Sequence, residues 1–211
     1  MNRNVNAKRR MAFGPSVAVL LGLIAIVAVG FWLMRNGHEY PAGPLSGSGI
    51  GAPFALVDQD GRPVTDRSFA GRYRLMYFGY TFCPDVCPTD LARNAAALRA
   101  LTAADSDRAA RVQPIFVTVD PARDTPAILK AYVANFPPRL VGLTGSAQAV
   151  ASAGKAYKVF ATRQDAPGAS GYLMSHTDIT YLMGPNGDPI TFFASTDTSA
   201  KVAADLDRYV H

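Results

Sequence analysis

From Phe13 to Met34 the chain carries no charged residue, whereas after Gly51 the apolar positions fall into short runs whose period changes along the sequence. The first pattern has no polar side. At about 1.5 Å per residue it reaches roughly 30 Å, the thickness of a hydrocarbon core, so it predicts a single transmembrane helix. A helix of a small folded domain would keep a polar stripe. A cleavable signal peptide would have a shorter apolar core and a small-residue cleavage site, and none follows Met34. Asn36 to Gly51 is rich in Gly, Pro and Ser with no apolar period and reads as a flexible linker. The predicted division is thus a basic segment over 1–12, an anchor over 13–34, a linker over 35–51 and a folded domain over 52–211.

Within the domain, Phe54 to Val64 alternates around Asp60-Gly61 and predicts an N-terminal β-hairpin. Arg74 to Tyr80 is an apolar, aromatic run expected as a buried strand, and Thr89 to Ala103 carries Leu91, Ala95, Leu98 and Leu101 at helical spacing. Val112 to Val119 is a second β-branched strand ending at Asp120-Pro121. Asp124 or Thr125 caps a helix with Ile128, Leu129, Tyr132 and Val133 on one face. A short strand over Leu140 to Leu143 and a helix opened by Ser146 follow. Val159 to Ala161 and Gly171 to Met174 flank a loop, and His176 opens a strand over Ile179 to Met183 that pairs with Ile190 to Ala194 across Pro185-Asn186-Gly187-Asp188. A helix from Thr198 closes the domain. Strand and helix alternate, then a hairpin and a last helix follow, which is the order of an α/β thioredoxin-like sandwich.

Charge separates the anchor from the domain. Of 21 Lys and Arg, Arg3, Lys8, Arg9, Arg10 and Arg35 flank the apolar run, and the rest balance the 16 Asp and Glu, so the formal net charge of +5 belongs to the flanks. The excess on the amino-terminal side keeps that end in the cytoplasm and exports the domain. In a bacterium this means a single-pass protein of the inner (cytoplasmic) membrane with its carboxyl-terminal domain in the periplasm. A neutral domain without a basic patch excludes nucleic acid as a partner.

Candidate chemistry lies in Cys83 and Cys87, the only cysteines, four apart at the predicted strand-to-helix junction. Cys87 is expected in the helix's first turn, where unpaired N–H groups and the dipole favour its thiolate. Three readings stand side by side. A structural disulfide would close too short a loop to contribute much stability. A thioredoxin-type redox pair normally has Cys-x-x-Cys, and here the spacing is Cys-x-x-x-Cys. A soft metal site would need a third ligand. His38 lies in the linker and His211 ends the chain, which leaves His176. Two thiolates and one imidazole suit copper, as Cu(I) or Cu(II), better than structural zinc, which takes four closed ligands.

Three stretches carry a resemblance: Tyr77-Phe78-Gly79-Tyr80-Thr81-Phe82-Cys83-Pro84-Asp85-Val86-Cys87-Pro88-Thr89-Asp90-Leu91, Val117-Thr118-Val119-Asp120-Pro121-Ala122-Arg123-Asp124-Thr125-Pro126, and Ser175-His176-Thr177. In order and spacing they resemble the signatures of the SCO/SenC family of membrane-anchored copper proteins. The resemblance implies a thioredoxin fold in which Cys83, Cys87 and His176 bind copper, and a metallochaperone role in assembling the dinuclear copper centre of cytochrome c oxidase. The implied partners are the oxidase's copper-receiving subunit and other copper chaperones or thiol reductants. Asp120 and Arg123 carry over as supporting residues that brace the loop or meet a partner, and an ion pair that only closes the strand end is the alternative for them. Two other classes use the same cysteines: a thiol-disulfide oxidoreductase keeping the oxidase subunit's cysteines reduced, with Cys83 and Cys87 as its redox disulfide, and a copper or redox sensor.

Overall fold

A computed structural model describes residues 15–36, 42–136, 139–166 and 171–211. The expected cytoplasmic segment 1–12, His38 and Glu39 of the linker, and residues 167–170 lie outside these. The chain divides into two units, Met1–Glu39 and Tyr40–His211. In the first, α1 (Pro15–Asn36) spans 22 residues. Its side chains are described from 19 to 31, and there Val19, Leu20, Ile24, Val27 and Phe31 are all exposed. Among the described residues no helix is long and apolar enough to cross a membrane.

The second unit is built on a seven-stranded sheet. Its strands are β1 (Ala55–Asp58), β2 (Pro63–Thr65), β3 (Tyr73–Gly79), β4 (Val112–Thr118), β5 (Val141–Thr144), β8 (Ile179–Met183) and β9 (Pro189–Ala194). Between β5 and β8 the chain forms a separate antiparallel ribbon of β6 (Ala161–Ala166) and β7 (Gly171–His176). The order across the large sheet is β2-β1-β5-β4-β3-β8-β9. β3, β4 and β5 run parallel, while β1 and β8 are antiparallel to their neighbours, so the hairpins cap both edges of a parallel centre. β3 and β4 are buried along their whole length, as strands covered on both faces must be.

The period of two along β3 sorts its side chains between layers. Tyr73 and Leu75 join Leu98, Leu101, Val202 and Leu206 under the helices α2 (Val86–Ala104) and α6 (Ser199–Tyr209). Tyr77 packs with Leu91 of α2 and with Leu129 and Val133 of α4 (Pro126–Val133). Met76 and Phe78 point the other way, onto Val150, Ala153 and Tyr157 of α5 (Ala147–Ala156) and its end. A short helix, α3 (Ser106–Ala110), follows α2, and Asp105 caps it by accepting from the N–H groups of Asp107 and Arg108. Helix caps fall where the sequence places them for α5 and α6, at Ser146 and Thr198, and at Thr125 rather than Asp124 for α4.

Two expectations are corrected. Residues 162–166, expected in the loop, belong to β6 of the ribbon, and His176 ends β7 instead of opening β8. Of the expected linker, residues 35 and 36 end α1 and residues 42–51 lie along the domain: Leu45 N–H donates to the Ile190 carbonyl at 3.1 Å and Gly51 N–H to the Ala156 carbonyl at 2.9 Å. Leu45 and Ile50 pack on the core beneath α5. A side chain at position 43 would run into the Ile190 carbonyl, so glycine there lets this strap lie flat.

Candidate metal centre

The site forms where β3 hands over to α2. Cys83 N–H donates to the Tyr80 carbonyl at 3.2 Å, which turns the chain back after the strand. Asp85 then stands at the N-cap, and Val86, Cys87 and Pro88 begin the helix. Proline is tolerated in this first turn because its missing N–H would have no helical partner. Cys87 packs against the end of β3 so closely that a Cβ on Gly79 would sit 2.8 Å from its sulfur. Asp124, fully buried, ties the loop down from the β4 side. Its carboxylate accepts from Thr81 N–H at 3.1 Å, Thr81 hydroxyl at 2.6 Å and Thr118 hydroxyl at 2.6 Å. Burial pushes the Asp124 carboxyl upward, and the Thr118 and Thr81 hydrogen bonds act in the opposite direction.

His176 arrives from β7. Its Nε2 lies 3.3 Å from Cys87 Sγ, and the ligand atoms of Cys83, Cys87 and His176 all fall within 4.8 Å of one another. The Thr177 carbonyl, 3.0 Å from Nδ1, can only accept, so Nδ1 carries a proton and Nε2 turns toward the sulfurs. Tyr77 and Tyr80 meet the imidazole edge-on, with centroids 6.3 and 5.8 Å away. The three residues named from sequence are therefore together in space, as a group able to hold one soft metal ion.

The thiols are not equivalent. The first-turn N–H that the sequence assigns to stabilising Cys87 points elsewhere: Cys87 N–H donates to Cys83 Sγ at 3.4 Å. The hydrogen bond from the Cys87 thiol, together with those from His176 and from first-turn N–H groups, holds Cys83 down to about 4 against its burial. Cys87 is pushed up, first because it donates to Cys83 and then because it is buried. The expected thiolate thus moves from Cys87 to Cys83, the half-buried one of the two. Burial alone would lower His176, but hydrogen bonds to the Cys83 sulfur and the Thr177 carbonyl outweigh it and raise the imidazole. Cys87 Sγ lies 3.3 Å from Nε2, yet the sulfur whose charge raises the imidazole is that of Cys83.

Asp120 and Arg123 do not reach the ligand atoms. They form a buried ion pair at the end of β4, with side-chain exposures of 4% and 14%. The Arg123 guanidinium also lies over the rings of Tyr172, Phe82 and Tyr80, at 3.7, 4.8 and 5.7 Å from their centroids. Asp124 and Tyr172 escaped the sequence reading. Asp124 looked like a helix cap, and Tyr172 stands out only once β7 is known, since it then shares a strand face with His176.

Residues 43–211 match the family described as SCO1/SenC. Protein SenC of Rhodobacter capsulatus is 36% identical over 208 residues, covering 96% of this chain and 90% of that protein. The mitochondrial SCO1 homolog 1 of Arabidopsis thaliana is 36% identical over 160 residues, and there the match spans only 47% of the relative's length. Among solved structures, Arabidopsis thaliana ScoI with copper bound aligns with a TM-score of 0.71 at 34% identity, covering 75% of this chain and 97% of that one. Bradyrhizobium japonicum ScoI with copper bound gives 0.68 at 43% identity, over 76% and 99%. The thioredoxin-like α/β fold expected from the element order is the fold of these proteins.

Proposed function

The chain belongs to the SCO1/SenC family, and from that premise we propose that it is a membrane-anchored copper metallochaperone that helps assemble the dinuclear copper centre of cytochrome c oxidase. The observation that carries this reading is the convergence of two sulfurs and one imidazole nitrogen within 4.8 Å on separate elements of a rigid fold. Cys83 and Cys87 supply soft thiolates that favour copper(I), and His176 supplies the nitrogen that copper(II) needs as well. Copper is cargo here. Loading displaces the proton that Cys87 shares with Cys83, and with three protein ligands a position stays open for an acceptor's ligand, so the ion passes by exchange. A disulfide between Cys83 and Cys87 leaves no thiolate for coordination, so oxidation gates loading.

Anchoring rests on the uncharged run 13–34 and its basic flank, with residues 1–12 in the cytoplasm and the domain in the periplasm. The exposed apolar side chains of α1 support it, because such a helix needs an apolar environment. The receiving subunit of the oxidase, and a chaperone or thiol reductant that supplies the site, are the partners of this reading.

The low-lying Cys83 thiol favours one second reading, since a half-buried thiolate is also the attacking group of a thiol-disulfide oxidoreductase. His176→Ala separates the two. It removes a metal ligand that thiol exchange does not use. The purified variant should fold, form the Cys83–Cys87 disulfide and lose copper(II) binding with its thiolate-to-copper absorption, while copper(I) binding weakens. Oxidase assembly should fail with it. Assembly that survives in a copper-free His176→Ala strain would assign the function to the oxidoreductase reading instead.

A further inference from the structure

The β6–β7 ribbon pairs only with itself in the strand register, so something other than the main sheet must fix its angle. Tyr172 does this near the outer end of β7. Its hydroxyl donates to Asp120 Oδ1 at 2.9 Å, its carbonyl accepts from Arg123 Nη1 at 3.0 Å, and its ring lies 3.7 Å from the Arg123 guanidinium carbon. Arg163 of β6 approaches the same ring at 4.0 Å. Two guanidiniums this near one centroid must take opposite faces, so the ring is clamped between a cation of the ribbon and a cation of the domain. Arg123 Nη2 is buried with no hydrogen-bond partner, and the aromatic faces stand in for one. The same guanidinium lies over Phe82, the residue before Cys83.

Residues 172 and 176 share one face of β7, about 13 Å apart at 3.3 Å per residue. We propose that Asp120, Arg123 and Tyr172 form a clamp that sets the tilt of the ribbon and thereby holds His176 Nε2 in ligating range of the two sulfurs. They are positioning residues and touch no ligand atom. The proposal rests on the reading of Cys83, Cys87 and His176 as the copper site and adds what keeps its third ligand in place. The cysteines have supports of their own in β3, α2 and Asp124, which replacing Tyr172 leaves in place. Loss of the clamp therefore converts a three-ligand site into a two-thiolate site.

The test compares wild type, Tyr172→Phe, Tyr172→Ala and His176→Ala in the full-length chain, purified in detergent. In the metal-free, reduced protein, amide hydrogen exchange over 171–176 should quicken about tenfold in Tyr172→Ala, with β3 and β4 unchanged. With copper, Tyr172→Ala should lose most of the thiolate-to-copper(II) absorption and at least tenfold in copper(II) affinity, while copper(I) affinity changes less than threefold. Tyr172→Phe keeps the stacked ring, loses one hydrogen bond and should fall between. A general loss of stability would quicken exchange everywhere and weaken both oxidation states alike. Unchanged ribbon exchange, or copper(II) absorption equal to wild type in Tyr172→Ala, overturns the clamp. If wild type and His176→Ala share one copper(II) spectrum, it is the reading of the site that fails.

Discussion

Cys83 and Cys87 differ more in environment than in sequence. Cys83 takes hydrogen bonds from its partner thiol, the imidazole and the helix's first N–H groups, whereas Cys87 is buried against Gly79 and gives its proton away. A thiol held down to about 4 is already ionised across the neutral range. In the reduced, metal-free domain, alkylation of Cys83 should thus proceed at a nearly constant rate from about pH 5 to pH 8, whereas an ordinary thiol with its pKa near 8.5 slows about tenfold for each unit below that value. Cys87, shifted the opposite way, should stay unmodified. Mass spectrometry of peptides from a pH series checks both; a Cys83 rate that climbs tenfold per unit up to pH 8 would contradict the assignment. The three residues that meet in space could be named from sequence because the chain has only two cysteines and His38 and His211 lie outside the body of the domain, but the strand that carries His176 could not: it is β7 and not β8. Which sulfur holds the charge was not legible, since it depends first on which thiol donates to the other and then on the imidazole and N–H groups around them.

Elements that bury side chains in the core announce themselves in the sequence, and those that do not stay silent. β3 and β4, buried on both faces, read as continuous apolar runs, and α2, α5 and α6 follow an apolar period because the core imposes it. The run Thr162-Arg163-Gln164-Asp165 shows no alternation, since β6 pairs only with β7 and has no sheet face to bury. α3 is five residues long, too short for a period, and exists through the Asp105 cap. The junction of β3 and α2 can be probed directly. A Cβ at position 79 would come within 2.8 Å of Cys87 Sγ, 2.9 Å of the Tyr77 ring and 3.1 Å of the Phe116 ring. Gly79→Ala should therefore destabilise the domain by about 1–3 kcal/mol through overpacking. It should also push Cys87 off the point where the ligands meet. Urea unfolding and copper content read the two effects, and a variant as stable as wild type with full copper would show that the helix start has room to yield.

At the scale of the whole chain, the basic flank and the uncharged run predict a fixed orientation. A periplasm-active phosphatase fused after His211 should work, and the same reporter fused after Arg10 should not. A soluble mature chain beginning near Asn36 would contradict the anchor. The strap over 42–51 adds a geometric consequence. It joins the fold beside Ile190 and Gly187, at the edge where Arg74 pairs with Met183, while the cysteine loop leaves β3 at the other end. The seven residues of β3 separate these poles, by roughly 20 Å at 3.3 Å per residue. Within the folded unit the strap and the sulfurs thus occupy opposite ends of the central strand, so whatever covers the sulfurs need not touch the strap.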